Sequence, residues 1–175
     1  YTRRDARTNM SYYLEHNVVW RWFTLSAGVM AERNDAIDGR FRFYPGVDLS
    51  YRPSAAWRLY ASWNRSLRLP SFTDLWYKSP TQEGNVGLRP EECSAYRIGA
   101  DFGNSWLSVK VKGQYARGTD MIDWVMLTPT DVYRSRNFSL DNYGAGIDAT
   151  INFSALLGSR QPLRRLTLSL SLIQI

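Results

Sequence analysis

The chain has 175 residues, enough for one domain, and its 44% hydrophobic and 14% aromatic content excludes a disordered polypeptide. The formal charge of +6 comes from Lys and Arg scattered in clusters no larger than Arg3-Arg4 or Arg164-Arg165, which argues against a phosphate-binding patch and against nucleic acid as a partner. The longest uninterrupted apolar run is Trp124 to Leu127, so there is no transmembrane helix and no signal-peptide hydrophobic region, although a barrel strand needs only about ten alternating residues.

Thr8 to Glu15 reads as a first strand, followed by a tight turn at Asn17 that leaves His16 solvated. His16 is the only histidine and Cys93 the only cysteine, so no internal disulfide or CxxC metal site is possible. A histidine-based triad would have to be built on a turn residue, and a general base belongs in a pocket. No catalytic residue and no metal ligand is therefore assigned. From Val19 to Arg33, Val19, Phe23, Leu25, Ala27 and Val29 are read on one face, with Trp22, Thr24, Ser26, Gly28 and Met30 on the other. A polar loop near 34–41 follows.

Val47, Leu49 and Tyr51 then oppose Asp48, Ser50 and Arg52, and after a turn at Pro53-Ser54, Trp57, Leu59, Ala61 and Trp63 oppose Arg58, Tyr60, Ser62 and Asn64. The next stretch, near 67–95, is too punctuated to be a strand. Pro70, Pro80 and Pro90 cannot donate to a ladder, and Gly84 and Gly87 favour turns. Long excursions are usually functional or disordered, and Phe72, Trp76 and Tyr77 argue for an ordered binding loop.

Beyond it, Tyr96, Ile98, Ala100 and Phe102 alternate with Arg97, Gly99 and Asp101, and Gly103-Asn104 supplies a hairpin signal. Leu107, Val109 and Val111 alternate with Ser108, Lys110 and Lys112. A second excursion near 118–136 carries Trp124 and Tyr133. After it Tyr143 to Phe153 alternate strictly, a turn is expected at Gly158 to Pro162, and Leu166 to Leu172 alternate with Arg165 to Ser171.

About eight antiparallel strands emerge, with tight turns at one end and long loops at the other, the layout of an outer-membrane barrel. Periodicity alone leaves open a soluble β-sandwich, whose apolar face would point inward, and a small closed barrel without transport activity. Lys110, Lys112 and Asp148 within long strands, and Trp57, Trp63, Tyr143 and Phe153 near strand ends, favour the membrane arrangement with an aromatic girdle.

The run SLRLPSFTDLWY, followed by GNVGLRPEECSAYRIGADF, resembles the barrel signature of TonB-dependent outer-membrane receptors. Arg68, Pro70, Phe72, Leu75, Tyr77, Gly84, Asn85, Leu88, Pro90, Glu91, Tyr96 and Gly99 fall on its positions, while Val86-Gly87 and Arg97 depart from it. The resemblance implies that residues 1–175 are part of a 22-stranded barrel with a plugged lumen. No plug-like region, energy-coupling box, signal peptide or terminal aromatic is recognised here, so the chain is expected to be a piece of a larger receptor. Implied partners are outer-membrane lipid, a plug domain of the same receptor, the TonB complex, and a ferric siderophore, haem or cobalamin ligand. No cofactor is implied, and the outer membrane of a Gram-negative bacterium is the implied location. The loop sequence is most similar to the cobalamin-receptor branch. Within the signature, Arg68, Pro70, Asn85, Leu88, Pro90 and Glu91 are expected to shape the loop's return into the next strand. Phe72, Trp76 and Tyr77, with Trp124 and Tyr133 from the second excursion, are the candidate ligand contacts, since aromatic anchors give large contact area at low entropy cost.

Overall fold

The computed structural model describes residues 6–35 and 39–153, and the backbone of 167–174. It forms one sheet whose strands are β1 (Asn9–Trp20), β2 (Phe23–Asn34), β3 (Phe41–Ser54), β4 (Trp57–Arg68), β5 (Gln82–Glu83), β6 (Glu91–Gly103), β7 (Leu107–Val125), β8 (Tyr133–Asn152) and β9 (Thr167–Gln174). The long strands pair with their chain neighbours in an antiparallel meander, and the two-residue β5 lies parallel to the start of β8. One short helix, α1 (Phe72–Trp76), sits between β4 and β5.

Register explains how the period-two pattern becomes two chemically different surfaces. The cross-strand row Phe23, Tyr51, Leu59, Ala100, Val111, Ile147 and Leu172 is apolar throughout. The next row, one residue along, is Thr24, Ser50, Tyr60, Gly99, Lys112 and Gly146 on the opposite face. On this polar face Lys112 pairs with Asp148 at 3.5 Å and Arg58 with Asp101 at 3.9 Å. Tyr60 lies flat across Gly99, where an added Cβ would fall 2.2 Å from the ring. Glycine there lets the ring cover the backbone.

Among the described residues only Tyr44 and Leu88 are buried hydrophobics, while Ile98 and Tyr143 on the apolar face are 65% and 66% exposed. No second layer covers that face, so the described residues form no β-sandwich. Nor is β1 paired with β8 or β9 among them, as a small closed barrel would require. Rings mark the borders of the apolar band. Trp63, Tyr96, Tyr115 and Tyr143 form a row at centroid spacings of 6.4, 5.9 and 4.8 Å. Trp57 and Phe102 pack at 4.9 Å, and Trp57 lies about 20 Å along the strand from Trp63 at ~3.3 Å per residue.

The tight turns interlock. The Trp22, Ala56 and Trp106 carbonyls accept hydrogen bonds from the Arg52, Gly103 and Asn152 amides at 2.7, 2.8 and 2.7 Å. The first turn is at Arg21-Trp22, not Asn17, because Arg21 adopts a positive φ of 45° and β1 runs unbroken to Trp20. His16 is consequently a strand residue opposite Ala27, and Val19 lies opposite Thr24 rather than in line with Phe23. The second turn falls at 55–56 instead of Pro53-Ser54, since Ser54 already pairs with Trp57. The expected turn at Gly158 to Pro162 lies outside the described residues.

β7 and β8, at 19 and 20 residues, are about twice the ~9–11 residues a tilted strand needs to cross a bilayer. Most of the excursion read near 118–136 is therefore strand, and only 126–132 connects the two. A bulge hid this from the alternation. Gly118 pairs with Leu140 and Met121 with Phe138, so β7 carries one extra residue, with Asp120 at φ 55°.

The two-faced register yields a direct expectation. In the membrane-inserted protein, a spin label on Val109→Cys reports a hydrocarbon environment and one on Lys110→Cys reports water; the reverse accessibility would invert the assignment of the two faces.

Candidate functional site

The connection from β4 to β6 builds the site, starting from its helix. Ser71 and Asp74 form a capping box: Ser71 Oγ accepts from the Asp74 amide at 3.1 Å, and Asp74 Oδ2 accepts from the Ser71 amide at 2.9 Å. The Ser71 hydroxyl donates to the same carboxylate at 2.7 Å. Asp74 is buried, and burial alone would raise its pKa. The Ser71 hydrogen bonds and the nearby Arg68 guanidinium outweigh that effect and hold it below the ordinary value of 3.8.

The chain then folds back over its own helix. The Gly84 amide donates to the Tyr77 carbonyl at 2.6 Å and the Asn85 amide to the Asp74 carbonyl at 2.9 Å. An added Cβ on Gly84 would meet the Asp74 and Leu75 backbone at 2.8–2.9 Å, so only glycine fits this approach. Ser135, fully buried on β8, donates to the Asp74 carbonyl at 2.6 Å, and Asn85 Nδ2 donates to the Ser135 carbonyl at 3.3 Å.

The return to β6 is fastened at the β7 bulge. Asn137 Oδ1 accepts from the Arg89 amide, and Asn137 Nδ2 donates to the Arg89 carbonyl, both at 2.9 Å. The Arg89 side chain pairs with Asp120 at 2.6 Å. Glu91, also buried, accepts from the Ile122 amide at 2.9 Å, a donor that lies past the last β6–β7 pair, Glu92 with Thr119. Arg68 reaches both acids, with Nη2 3.4 Å from Asp74 and Nε 3.4 Å from Glu91. Arg68, Asn85, Leu88 and Glu91 thus belong to the frame of the loop, and Pro70 and Pro90 sit where it leaves and rejoins the sheet.

Against this frame lies a cavity of about 600 Å³ lined by Phe72, Trp76, Pro70, Leu88 and Pro90 and by the charged Arg7, Arg42, Arg89, Glu92 and Asp120. Arg7 donates to the Pro70 carbonyl at 2.7 Å and lies 5.1 Å over the Phe72 ring. Of the five candidate contacts, only Phe72 and Trp76 line this cavity. Tyr77 packs edge-on against Trp124 at 6.1 Å, and the Tyr133 amide donates to the Thr81 carbonyl at 2.9 Å, so these three bind the loop to the β7–β8 extension. Arg7, Arg42, Glu92 and Asp120 were not legible as site residues, because they come from four separate strands or strand ends and share no local pattern. Ser71 and Asp74 did carry a signal, the capping-box spacing before an apolar run.

A meander with an apolar and a polar face, ring-bordered, and capped at one end by an ordered loop, defines the wall of a β-barrel. The family model for TonB dependent receptor-like β-barrels matches residues 1–173, and the chain belongs to that family. Among solved structures, the FrpB iron transporter from Neisseria meningitidis (F3-3 variant) is 16% identical with a TM-score of 0.62, covering 96% of this chain and 26% of that one. The siderophore receptor PirA from Pseudomonas aeruginosa is 13% identical with a TM-score of 0.69 and coverages of 95% and 32%. The copper transporter OprC is 13% identical with a TM-score of 0.67 and coverages of 83% and 26%. At these identities the likeness is one of fold, and the chain spans about a quarter to a third of each solved protein. None of the curated proteins matches the chain.

Two expectations test the frame. Gly84→Ala, which forces the loop off its helix, destabilises the loop by about 1–3 kcal/mol, read as faster proteolytic nicking between 78 and 88. For Asp74, the lowered folded-state pKa means its contribution is complete above the ordinary value of 3.8 and is lost as pH falls below that toward the folded value. Hydrogen exchange at the Leu75 and Tyr77 amides should accelerate in that acid window in the wild type, whereas Asp74→Asn should exchange faster at neutral pH and show no such step.

Proposed function

We propose that the chain is a section of barrel wall from a receptor in the outer membrane of a Gram-negative bacterium, which binds a scarce metal chelate and imports it with energy coupled through TonB. The apolar face meets lipid and the polar face lines the lumen. The connections after β2, β4 and β7 point out of the cell, and a plug domain of the same receptor occupies the lumen.

The observation that carries the ligand reading is the cavity at the loop frame. Its volume of about 600 Å³ falls within the ~300–1,000 Å³ of small-molecule sites. Rings from Phe72 and Trp76 stand beside three guanidinium groups, of which Arg42 and Arg89 are paired with Glu92 and Asp120, so that the lining keeps one cation in excess. Aromatic surface with cations suits an anionic, ring-bearing chelate, such as a ferric siderophore, better than a neutral one. The relatives named above are described as handling iron, a siderophore and copper, which supports a metal-bearing ligand and lends nothing to the cobalamin branch. Binding and translocation require no covalent step, so the chain is assigned no catalytic role.

In the complete receptor, Trp76→Ala is expected to weaken ligand binding by about 1–3 kcal/mol, the loss associated with a buried aromatic anchor, while the heat-modifiable folded fraction stays the same. Pro90→Ala acts on the loop's return, so it lowers the folded fraction more than the affinity per folded molecule. Titrating purified receptor with ferric catecholate and ferric hydroxamate chelates separates the two; unchanged affinity in folded Trp76→Ala receptor would remove the cavity from recognition.

A further inference from the structure

The cavity beside α1 has two walls that are remote in the chain. One is the loop frame, through Pro70, Phe72 and Trp76, and the other is the segment that enters β1, through Ala6 and Arg7. β2 and β3 lie between β1 and β4 in the sheet, which separates the two walls by about 14 Å at the ordinary spacing of strands. The entering segment is anchored just behind Arg7. The Thr8 amide donates to Asp35 Oδ1 at 2.9 Å, and the Thr8 carbonyl accepts from the Asp35 amide at 3.3 Å. From that anchor the Arg7 side chain reaches across to the loop, where Nη1 donates to the Pro70 carbonyl at 2.7 Å and the guanidinium covers the Phe72 ring at 5.1 Å.

Both of these contacts are to neutral groups. Arg42 and Arg89 lie 3.6 Å from Glu92 and 2.6 Å from Asp120, whereas no carboxylate pairs with Arg7 among the described residues. Arg7 is therefore the cation that the lining holds in excess. A hydrogen bond to an anionic oxygen is about twice as strong as one to a neutral carbonyl, and an exposed cation–π contact is worth less than such a charge-assisted bond. A guanidinium also carries more N–H donors than one carbonyl uses. An anion entering the cavity thus outcompetes Pro70 and Phe72 for Arg7. An uncharged ring-bearing molecule has instead to compete with Arg7 for the face of Phe72.

We propose that Arg7 is a displaceable clasp between the segment entering β1 and α1, and that it selects ligands by charge. This role rests on the chelate reading above and adds a regulation to the same site. The clasp covers the Phe72 ring until an anionic group on the ligand draws the guanidinium away. Binding an anion then frees the ring for stacking, and a neutral ligand meets a ring that is already covered.

The test uses the complete receptor with spin labels on Thr8→Cys and Thr73→Cys, two exposed residues whose hydrogen bonds here are made by the backbone. Without ligand the label pair is expected to give one narrow distance distribution, which Arg7→Gln lengthens or broadens. The trianionic ferric tris-catecholate complex reproduces that change in the unsubstituted receptor, and the uncharged ferric tris-hydroxamate complex does not. The two affinities move in opposite directions. Arg7→Gln weakens catecholate binding by about tenfold, as when a charge-assisted bond is lost, and tightens hydroxamate binding by about two- to fivefold, because no cation–π contact has then to be displaced. Arg7→Lys keeps the charge and retains most of the catecholate affinity. An unchanged label distance in folded Arg7→Gln receptor overturns the clasp, as does a fall in the heat-modifiable folded fraction, which would make the contact part of the barrel's own stability. Equal weakening of both chelates overturns the selection by charge. A receptor that binds neither chelate refutes the chelate reading, while the ligand-free distance still decides the clasp.

Discussion

A single sheet with almost no buried apolar side chain among its described residues cannot be held by its own core. Its lateral hydrogen bonds fix the backbone, but they do not remove apolar surface from water, the main favourable contribution to folding. Ile98, Tyr143 and Ile147 remain open on one face, so the free energy must come from whatever covers that face. Lipid is the cover that matches a band bordered by Trp and Tyr rings at both margins. The polar face has the complementary requirement. Its ion pairs, Lys112 with Asp148 and Arg58 with Asp101, are half-exposed and contribute little by themselves, so that surface is suited to water and to a polar partner.

The second structural demand arises where the strands stop matching in length. β6 begins at Glu91, whereas β7 and β8 continue past it, so the ladder would end in unsatisfied backbone groups. The bulge at Asp120 and the returning loop resolve this together. Glu91 takes the Ile122 amide, and the Asn137 carboxamide takes both the Arg89 amide and carbonyl, so two side chains replace a missing strand. Asn137 also holds the Asp120 carbonyl, which fixes the bulge to the loop it supports. Arg68 then ties Asp74 and Glu91 into the same unit. Each acid is buried with at least one charge-assisted partner, the condition under which a buried carboxylate is tolerated.

Much of this was legible in the sequence. Strict alternation from Tyr96 to Val111 and from Tyr143 to Ile151 gave strand, face and partner, because period two is a local property. It failed where local rules were broken. The positive φ at Arg21 has no turn residue to announce it, so Asn17 was the more attractive place for the hairpin. At Gly118 the extra residue reverses the parity of the strand, and a continuous β7 looked like a loop. The same reversal hid Trp124 within a strand. Signature residues fared better, since Gly84, Pro90 and Glu91 have backbone or charge roles that residue type itself declares.

The aromatic residues of the loop divide along a physical line that residue type does not declare. The Tyr77 ring packs against Trp124 and the Tyr133 backbone amide holds the loop to the β7–β8 extension, whereas Phe72 and Trp76 line the cavity. Exposure does not draw that line, since Phe72, Trp76, Tyr77 and Tyr133 are all 38–44% exposed; it is set by which side of the loop each residue occupies. The bulge sets that outcome. By shifting the parity of β7 after Gly118 it brings Trp124 onto the face that meets Tyr77, and without the extra residue that ring would point through the opposite side of the sheet. The shape of the loop and the folding of the wall are therefore coupled at Asp120: the residue that breaks the ladder also positions the support for the helix that carries Phe72 and Trp76.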